Sequence, residues 1–409
     1  MKSQVIEGNN IHVLKTFPDN HFDSIVTDPP YGIDFLGKSW DANTGALETY
    51  QECLRVLKPG GHILAFSAAR TYHHLAVTIE QAGFEIRDQI MWIYSSGFPK
   101  SQDIGKSIDR SAGKKDPNYG TTNNNGTAGG INLSFTEDHI GGSRRCNKCK
   151  KDVAAQYDCN EDNCGLKYTY QTEDGKSWAG WGTQLKPAHE PIVMARKPIK
   201  LSIAKNCQQW GVGALNIDAT RIPVEGPDTR GGGADGWDRV EFGQAEPNKT
   251  DGEGYVPNEA GRFPSNVLGD IPDYQKYFYC PKVSRKERHI GHETPPAMFG
   301  DSKGAYDENG ERYAVGLNAR TDENKGNNHP TVKPIELMKY LIKLITPAGG
   351  RVLDPFNGSG STGCAAVELD YDYTGIELDA KYVAIATQRI AAWYAETHAT
   401  TFAELFETC

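Results

Sequence analysis

Two short segments of this 409-residue chain carry residue types that could do chemistry, and each follows an apolar run that reads as a β-strand. The first is Asp28-Pro29-Pro30-Tyr31, directly after Phe22–Thr27. Consecutive prolines fix φ and remove two backbone donors, which leaves their carbonyls as acceptors in a stiff turn. The Asp28 carboxylate is a further acceptor, and the Tyr31 ring offers a face for stacking. Such a turn suits a planar group with two N–H donors, and the exocyclic amine of a nucleobase meets that description. By itself the tetrapeptide equally fits a proline-rich turn capped by an aspartate.

The second segment is Asp354-Pro355-Phe356-Asn357-Gly358-Ser359-Gly360, after the strand Arg351–Asp354. Glycines between a strand and a helix let the backbone approach a ligand closely, and the helix N-terminus then faces it. An acid, Glu377, ends the next strand, where acidic residues of dinucleotide folds meet ribose hydroxyls. No P-loop lysine follows, which argues against a triphosphate. If the two strands are neighbours where the winding of the sheet reverses, both motifs open on one crevice.

The elements around these motifs alternate. Strands are expected at Ser3–Glu7, Phe22–Thr27, Gly61–Ser67 and Glu85–Tyr94, with helices at Ile11–Phe17, Leu47–Leu57 and Tyr72–Ala82 between them. Lys58-Pro59-Gly60-Gly61 reads as a helix terminator. After Pro99 the pattern dissolves, apart from an apolar strand at Glu190–Arg196 and a helix near Leu201–Trp210. It returns with a helix at Pro334–Ile345, the strand Arg351–Asp354, a helix at Ser361–Leu369, a strand at Tyr373–Glu377 and a helix at Ala380–Glu396. The simplest topology is one α/β sheet built from both ends of the chain.

Taken together, these residues resemble the S-adenosylmethionine-dependent DNA amino-methyltransferases. The motif order is that of the β class, and the blocks Arg70–Pro99 and Thr183–Lys197 look like those of phage and prophage adenine methylases. The strand that normally follows the ribose-binding strand is missing after Glu377 and appears instead as Ser3–Glu7. The resemblance thus implies a circularly permuted Rossmann-like methyltransferase sheet, mostly parallel with one antiparallel edge strand, carrying an inserted irregular recognition lobe. Its expected parts are residues 1–99 (catalytic, first part), 100–182 (insertion with a cysteine cluster), 183–200 (edge strand), 201–326 (target recognition), 327–395 (catalytic, second part) and 396–409 (C-terminal tail).

By the same resemblance, Asp28, Pro29, Pro30 and Tyr31 hold the amine and stack on a flipped-out base. Asp28, Asp354, Phe356, Gly358 and Gly360 form the cofactor loop site, and Glu377 binds the ribose. Thr331 and Lys333, in His329-Pro330-Thr331-Val332-Lys333-Pro334, are candidates for the methionine carboxylate. Asn9 stands where many relatives have Asp and can accept from the adenine amine of the cofactor. The implied activity is site-specific transfer of a methyl group to N6 of adenine in double-stranded DNA, since Asp opens the first motif where cytosine enzymes more often carry Ser. Alternatives are the N4 amine of cytosine, protein glutamine or RNA, and a catalytically silent DNA-binding subunit. A homodimer and a cognate restriction endonuclease are further candidate partners.

Composition sets the remaining bounds. Lys+Arg 44 against Asp+Glu 53 gives a net charge of -9, which excludes a uniformly basic nucleic-acid binder but allows a local basic groove. No stretch approaches the ~18 to 20 apolar residues of a membrane span. The absence of a signal-peptide core and the odd count of Cys 9 point to a reduced cytoplasm, in a bacterium or a phage-infected host. Cys146-x2-Cys149 followed by Cys159-x4-Cys164 has the spacing of a four-thiolate structural zinc site. Lys100, Arg144, Arg145 and Lys148 lie around it as candidate DNA-phosphate contacts. Purified protein is accordingly expected to contain stoichiometric zinc that is lost in Cys146→Ser; metal analysis finding folded, zinc-free parent protein would refute the site.

Overall fold

The computed structural model describes residues 2–33, 44–94, 101–114, 119–121, 143–146, 152–154, 168–222, 261–269, 283–292, 305–306, 312–313, 326–327, 329 and 331–406. The chain divides into two compact units: Met1–Ser95 with His189–Pro295 and Lys325–Cys409, and Ser96–Ala188 with Pro296–Asn324.

In chain order, the first unit opens with β1 (Ser3–Glu7), α1 (Asn10–Leu14), β2 (Phe22–Thr27), α2 (Leu47–Val56), β3 (Leu57–Phe66), α3 (Tyr72–Gln81) and β4 (Glu85–Ile93). The second unit contributes α4 (Ile104–Ser111), β5 (Tyr119–Thr121), β6 (Ser143–Cys146), β7 (Asp152–Ala154) and α5 (Glu173–Ser177). The first unit resumes with β8 (His189–Arg196), α6 (Ile203–Trp210), β9 (Val267–Gly269) and α7 (Arg285–His289). A two-stranded hairpin of the second unit, β10 (Ala305–Tyr306) and β11 (Arg312–Tyr313), precedes α8 (Ile335–Ile345), β12 (Arg351–Asp354), α9 (Ser361–Glu368), β13 (Asp372–Glu377) and α10 (Ala380–Phe406).

Eight strands form one sheet in the order β1-β13-β12-β2-β3-β8-β4-β9. β1 pairs in parallel with β13, Glu7 opposite Glu377, so the N-terminal strand sits where the permutation requires it. Moving outward from the pair β12 and β2, one branch runs through α9 to β13 and the other through α2 to β3. The winding therefore reverses between β12 and β2, which pair in parallel through Val352 opposite Ser24 and Leu353 opposite Ile25. A reversal of this kind leaves a crevice at the carboxyl ends of the two strands.

Side chains alternate across the sheet and feed two cores. Val26, Leu64, Phe66 and Val352 pack with the apolar faces of α8 and α9. Ile25, Ile63, Ala65 and Leu353 pack with α2 and α3 on the other face. Both faces are covered, which is why β2 and β3 read as near-continuous apolar runs. In the second unit, buried Asp109 of α4 accepts hydrogen bonds from the Gln171 and Thr172 amides and the Thr172 and Tyr168 hydroxyls, tying α4 to the segment before α5.

Four features differ from expectation. The antiparallel strand β8 is not at the rim: it lies between β3 and β4, and β9 adds beyond β4 in parallel. β9 is only three residues long, too short for any periodicity, and Gly269 lets it approach β4, since a Cβ there would lie 2.5 Å from the Ile93 carbonyl. Lys58-Pro59-Gly60-Gly61 does end α2, but as a bulged start of β3 rather than a loop, with the register shifting between Phe22 and Ser24. Finally, α10 continues past Glu396 to Phe406, because no Gly or Pro interrupts 397–406.

The bulge depends on Gly60, whose φ of +83° is left-handed and whose Cβ position lies 2.3 Å from Nδ2 of Asn206. That amide donates to the carbonyls of Pro59 and Val212. Gly60→Ala is therefore expected to destabilise the first unit by about 1–3 kcal/mol, read from the midpoint of chemical denaturation.

Candidate active site

Asp28 leaves the end of β2 at the reversal point, and its carboxylate is met by the side chains of nearby Tyr31 and distant Lys333. Tyr31, one turn later, brings its hydroxyl 2.8 Å from Asp28 Oδ1 and 2.9 Å from Glu190 Oε2 at the start of β8. Lys333, just before α8, donates from Nζ to Asp28 Oδ2 at 2.6 Å and to the Tyr31 hydroxyl at 3.1 Å. Its ammonium is also 3.4 Å from Glu190 Oε2 and 5.0 Å from the centre of the Phe66 ring. Burial pulls the Lys333 pKa down, but the charges of Asp28 and Glu190 outweigh it and hold the pKa above its ordinary value. Burial, helped by the same two carboxylates, pushes the Tyr31 phenol well up, so it stays protonated.

The glycine segment stands on the adjacent strand. Thr27, the last residue of β2, donates to Asp354 Oδ1 at 2.7 Å, and Thr362 of α9 donates to Oδ2 at the same distance. The Phe356 amide closes the turn onto Oδ1. These donors favour the ionised form, yet burial dominates and raises the Asp354 pKa to about 6. Glu377 ties the far side of the loop down, accepting from the amides of Gly358 and Asp379. Its carboxyl is raised by burial against those backbone donors.

Two glycines of this loop are required by shape. Gly358 has φ +51°, and a Cβ would lie 2.9 Å from Nε2 of His329. Gly360, at φ +78°, turns the chain into α9. Asn357 fits because Gly375 of β13 has no side chain; its Oδ1 accepts from the Tyr373 hydroxyl at 2.7 Å. His329 lies edge-on to Tyr382, and burial lowers its pKa to about 4, so the ring is neutral at pH 7.

The structure thus brings Asp28, Pro29, Pro30, Tyr31, Asp354, Phe356, Gly358, Gly360 and Glu377 to adjoining strand ends. Lys333 sits against Asp28 and not beside Thr331, whose carbonyl approaches the His329 ring. Asn9 caps α1, its Oδ1 accepting from the Ile11 amide. Sequence reasoning missed Glu190, Thr27 and Thr362. An acid opening the apolar run Pro191-Ile192-Val193-Met194 is the one signal that could have marked Glu190.

Lys100, Lys148, Cys149, Cys159 and Cys164 lie outside the described residues, as do the side chains of Arg144, Arg145 and Cys146 in β6. Among the described residues no group of three or more His, Cys, Asp or Glu is placed to hold a metal. No described helix is long and apolar enough to cross a membrane.

Comparison with known proteins gives the family. Residues 22–388 match the model of the N6/N4 DNA methylase family, and the chain belongs to that family. The Type II methyltransferase M2.MboI of Moraxella bovis is 43% identical over 61 residues, 15% of this chain and 22% of that protein. The Type II methyltransferase M.HpaI of Haemophilus parainfluenzae is 33% identical over 113 residues, 25% of this chain and 35% of that protein. The chain therefore spans about a third or less of the length of these relatives. The solved PvuII DNA methyltransferase, described as cytosine-N4-specific, aligns with a TM-score of 0.42 and 12% identity over 97% of this chain and 93% of that one.

The raised Asp354 carboxyl makes stability depend on pH. The folded state keeps this proton up to about 6, whereas the unfolded chain releases it near 3.8, so the native state binds more protons across that window. The resulting stabilisation is complete below 3.8 and is lost as pH rises through about 6. Asp354→Asn is expected to flatten this part of the stability–pH curve relative to the parent protein, measured by urea denaturation.

Proposed function

We propose that the protein is a β-class DNA methyltransferase that transfers a methyl group from S-adenosylmethionine to the N6 amine of adenine in duplex DNA. The observation that carries the reading is the direct bond from Thr27 to Asp354, which holds the proline turn and the glycine loop at the ends of neighbouring strands. Family membership over residues 22–388 supports the class of reaction.

The residues fit such a cofactor. Glu377 retains lone pairs beyond those used by two backbone amides and is suited to the vicinal hydroxyls of a ribose. Gly358 and Gly360 allow close backbone approach at the start of α9. Asp354 sets the loop through Phe356, while Thr331 and Asn9 are assigned to the methionine carboxylate and the adenine amine. When bound, the cofactor supplies an electrophilic methyl group on a sulfonium.

The chain's own contribution is alignment and electrostatics, since a direct displacement needs no covalent enzyme intermediate. Asp28 and the Pro29 carbonyl accept the two N–H bonds of the target amine, which draws its lone pair out of the ring and towards the methyl group. Tyr31 stacks on a base extruded from the duplex. Its hydroxyl, anchored by Asp28 and Glu190, holds the ring in position. Asp in the first motif favours adenine. Lys100, Arg144, Arg145 and Lys148 are assigned to DNA phosphate, and a thiolate-bound zinc to their support.

Labelled methyl transfer to unmethylated duplex DNA, followed by nucleoside digestion, tests the assignment. N6-methyladenine is expected; N4-methylcytosine would move the acceptor, and label in no nucleoside would overturn the function. Asp28→Ala should cut turnover by at least about 100-fold with cofactor binding retained. Tyr31→Ala should lose far more activity than Tyr31→Trp, because every stacking contribution of about 1–3 kcal/mol needs an aromatic face.

A further inference from the structure

Among the described residues, Lys333 is the cation within the acidic cluster around Asp28, its ammonium set against Asp28 and Glu190. The Lys333 side chain is only 7% exposed, and its ammonium is wedged between two carboxylates and the Phe66 ring. One bland role is available: a counter-ion that neutralises one of two buried acids. Geometry gives it a second. Asp28 Oδ2 and Lys333 Nζ are 2.6 Å apart, so the wall of the site presents an acceptor and a donor side by side.

That pair is complementary to a base edge on which an amine lies beside a ring acceptor. Adenine carries its amine next to N1, and cytosine carries its amine next to N3; in each the neighbour of the donor is a ring nitrogen with a lone pair. Guanine carries its amine between N1–H, which offers an ammonium no lone pair, and N3, which does. Of the three N–H bonds on Lys333, the short contacts to Asp28 and Tyr31 use two, and Glu190 lies at the longer distance of 3.4 Å.

We propose that Lys333 reads the target base, donating to the ring nitrogen beside the amine while Asp28 accepts from the amine itself, with Glu190 and Phe66 positioning the ammonium. The proposal rests on the methyltransferase reading and deepens it. It makes Lys333 a specificity-determining contact for amines flanked by an acceptor. Glu190, acting through Lys333, is a positioning residue.

The test uses a duplex containing the site that the labelling experiment identifies. Replacing the target adenine by 1-deazaadenine, or a target cytosine by 3-deazacytosine, keeps the amine and deletes only the ring acceptor. The parent enzyme should lose about 10–100-fold in kcat/KM on the analogue, the range for one hydrogen bond to a charged group. Lys333→Met should lose a similar factor on the natural duplex and then treat natural and deaza bases alike; Lys333→Arg should restore part of the discrimination. Equal rates of the parent enzyme on the natural and deaza duplexes would overturn the proposal, as would undiminished discrimination in Lys333→Met. The analogue comparison needs only the parent protein, so it decides the matter even if Lys333→Met fails to fold. A natural duplex that takes no label would instead sink the methyltransferase reading, a distinguishable result.

Discussion

Asp354 accepts one hydroxyl from β2 and another from α9, and the distance between the two motifs is set by that buried carboxyl. Each bond alone is ordinary. Their effect comes from where they sit, at the pair of strands where the winding of the sheet reverses. Removing the Thr362 hydroxyl would take from buried Oδ2 its donor, at about 1–3 kcal/mol, whereas Oδ1 without Thr27 keeps the Phe356 amide. Losing the Thr27 hydroxyl would instead loosen the proline turn from the glycine loop. The interaction ties the proline turn and the glycine loop to one anchor.

The electrostatics of the site follow a related logic. Asp28, Glu190 and Lys333 come from β2, β8 and the entry to α8, and Tyr31 bridges them with a single hydroxyl. The cluster thus gathers two acids and one lysine around a single hydroxyl. A buried network of this type is stable only when its members are all present. The effects of substituting its parts are therefore expected not to add.

Much of this was legible in the linear chain. Phe22–Thr27 and Arg351–Asp354 announced themselves as strands because both faces of the central sheet are covered. The parallel pairing of β1 with β13 was readable from a strand missing at one end of the chain and present at the other. What could not be read was direction of reach. Lys333 lies next to Thr331 in sequence, and no local signal says that its side chain turns to Asp28, 305 residues away. Glu190 looked like a polar residue ahead of an apolar strand, because its role exists only once β8 runs antiparallel beside β3. The Lys58–Gly61 segment was punctuation in sequence terms; Asn206, from α6, makes it part of a strand.

The pairing of β2 with β12 also governs how the protein comes into being. The Arg351 amide bonds to Asp23 across 328 residues, and the Lys2 amide bonds to Asp372 across 370. A nascent chain emerging from the ribosome exposes β1 and the β12-facing edge of β2 long before β13 and β12 are made. These apolar edges then wait unpaired, a condition that slows folding and invites aggregation or chaperone capture. The crevice at the ends of β2 and β12 therefore cannot form until the chain has grown 328 residues beyond Asp23.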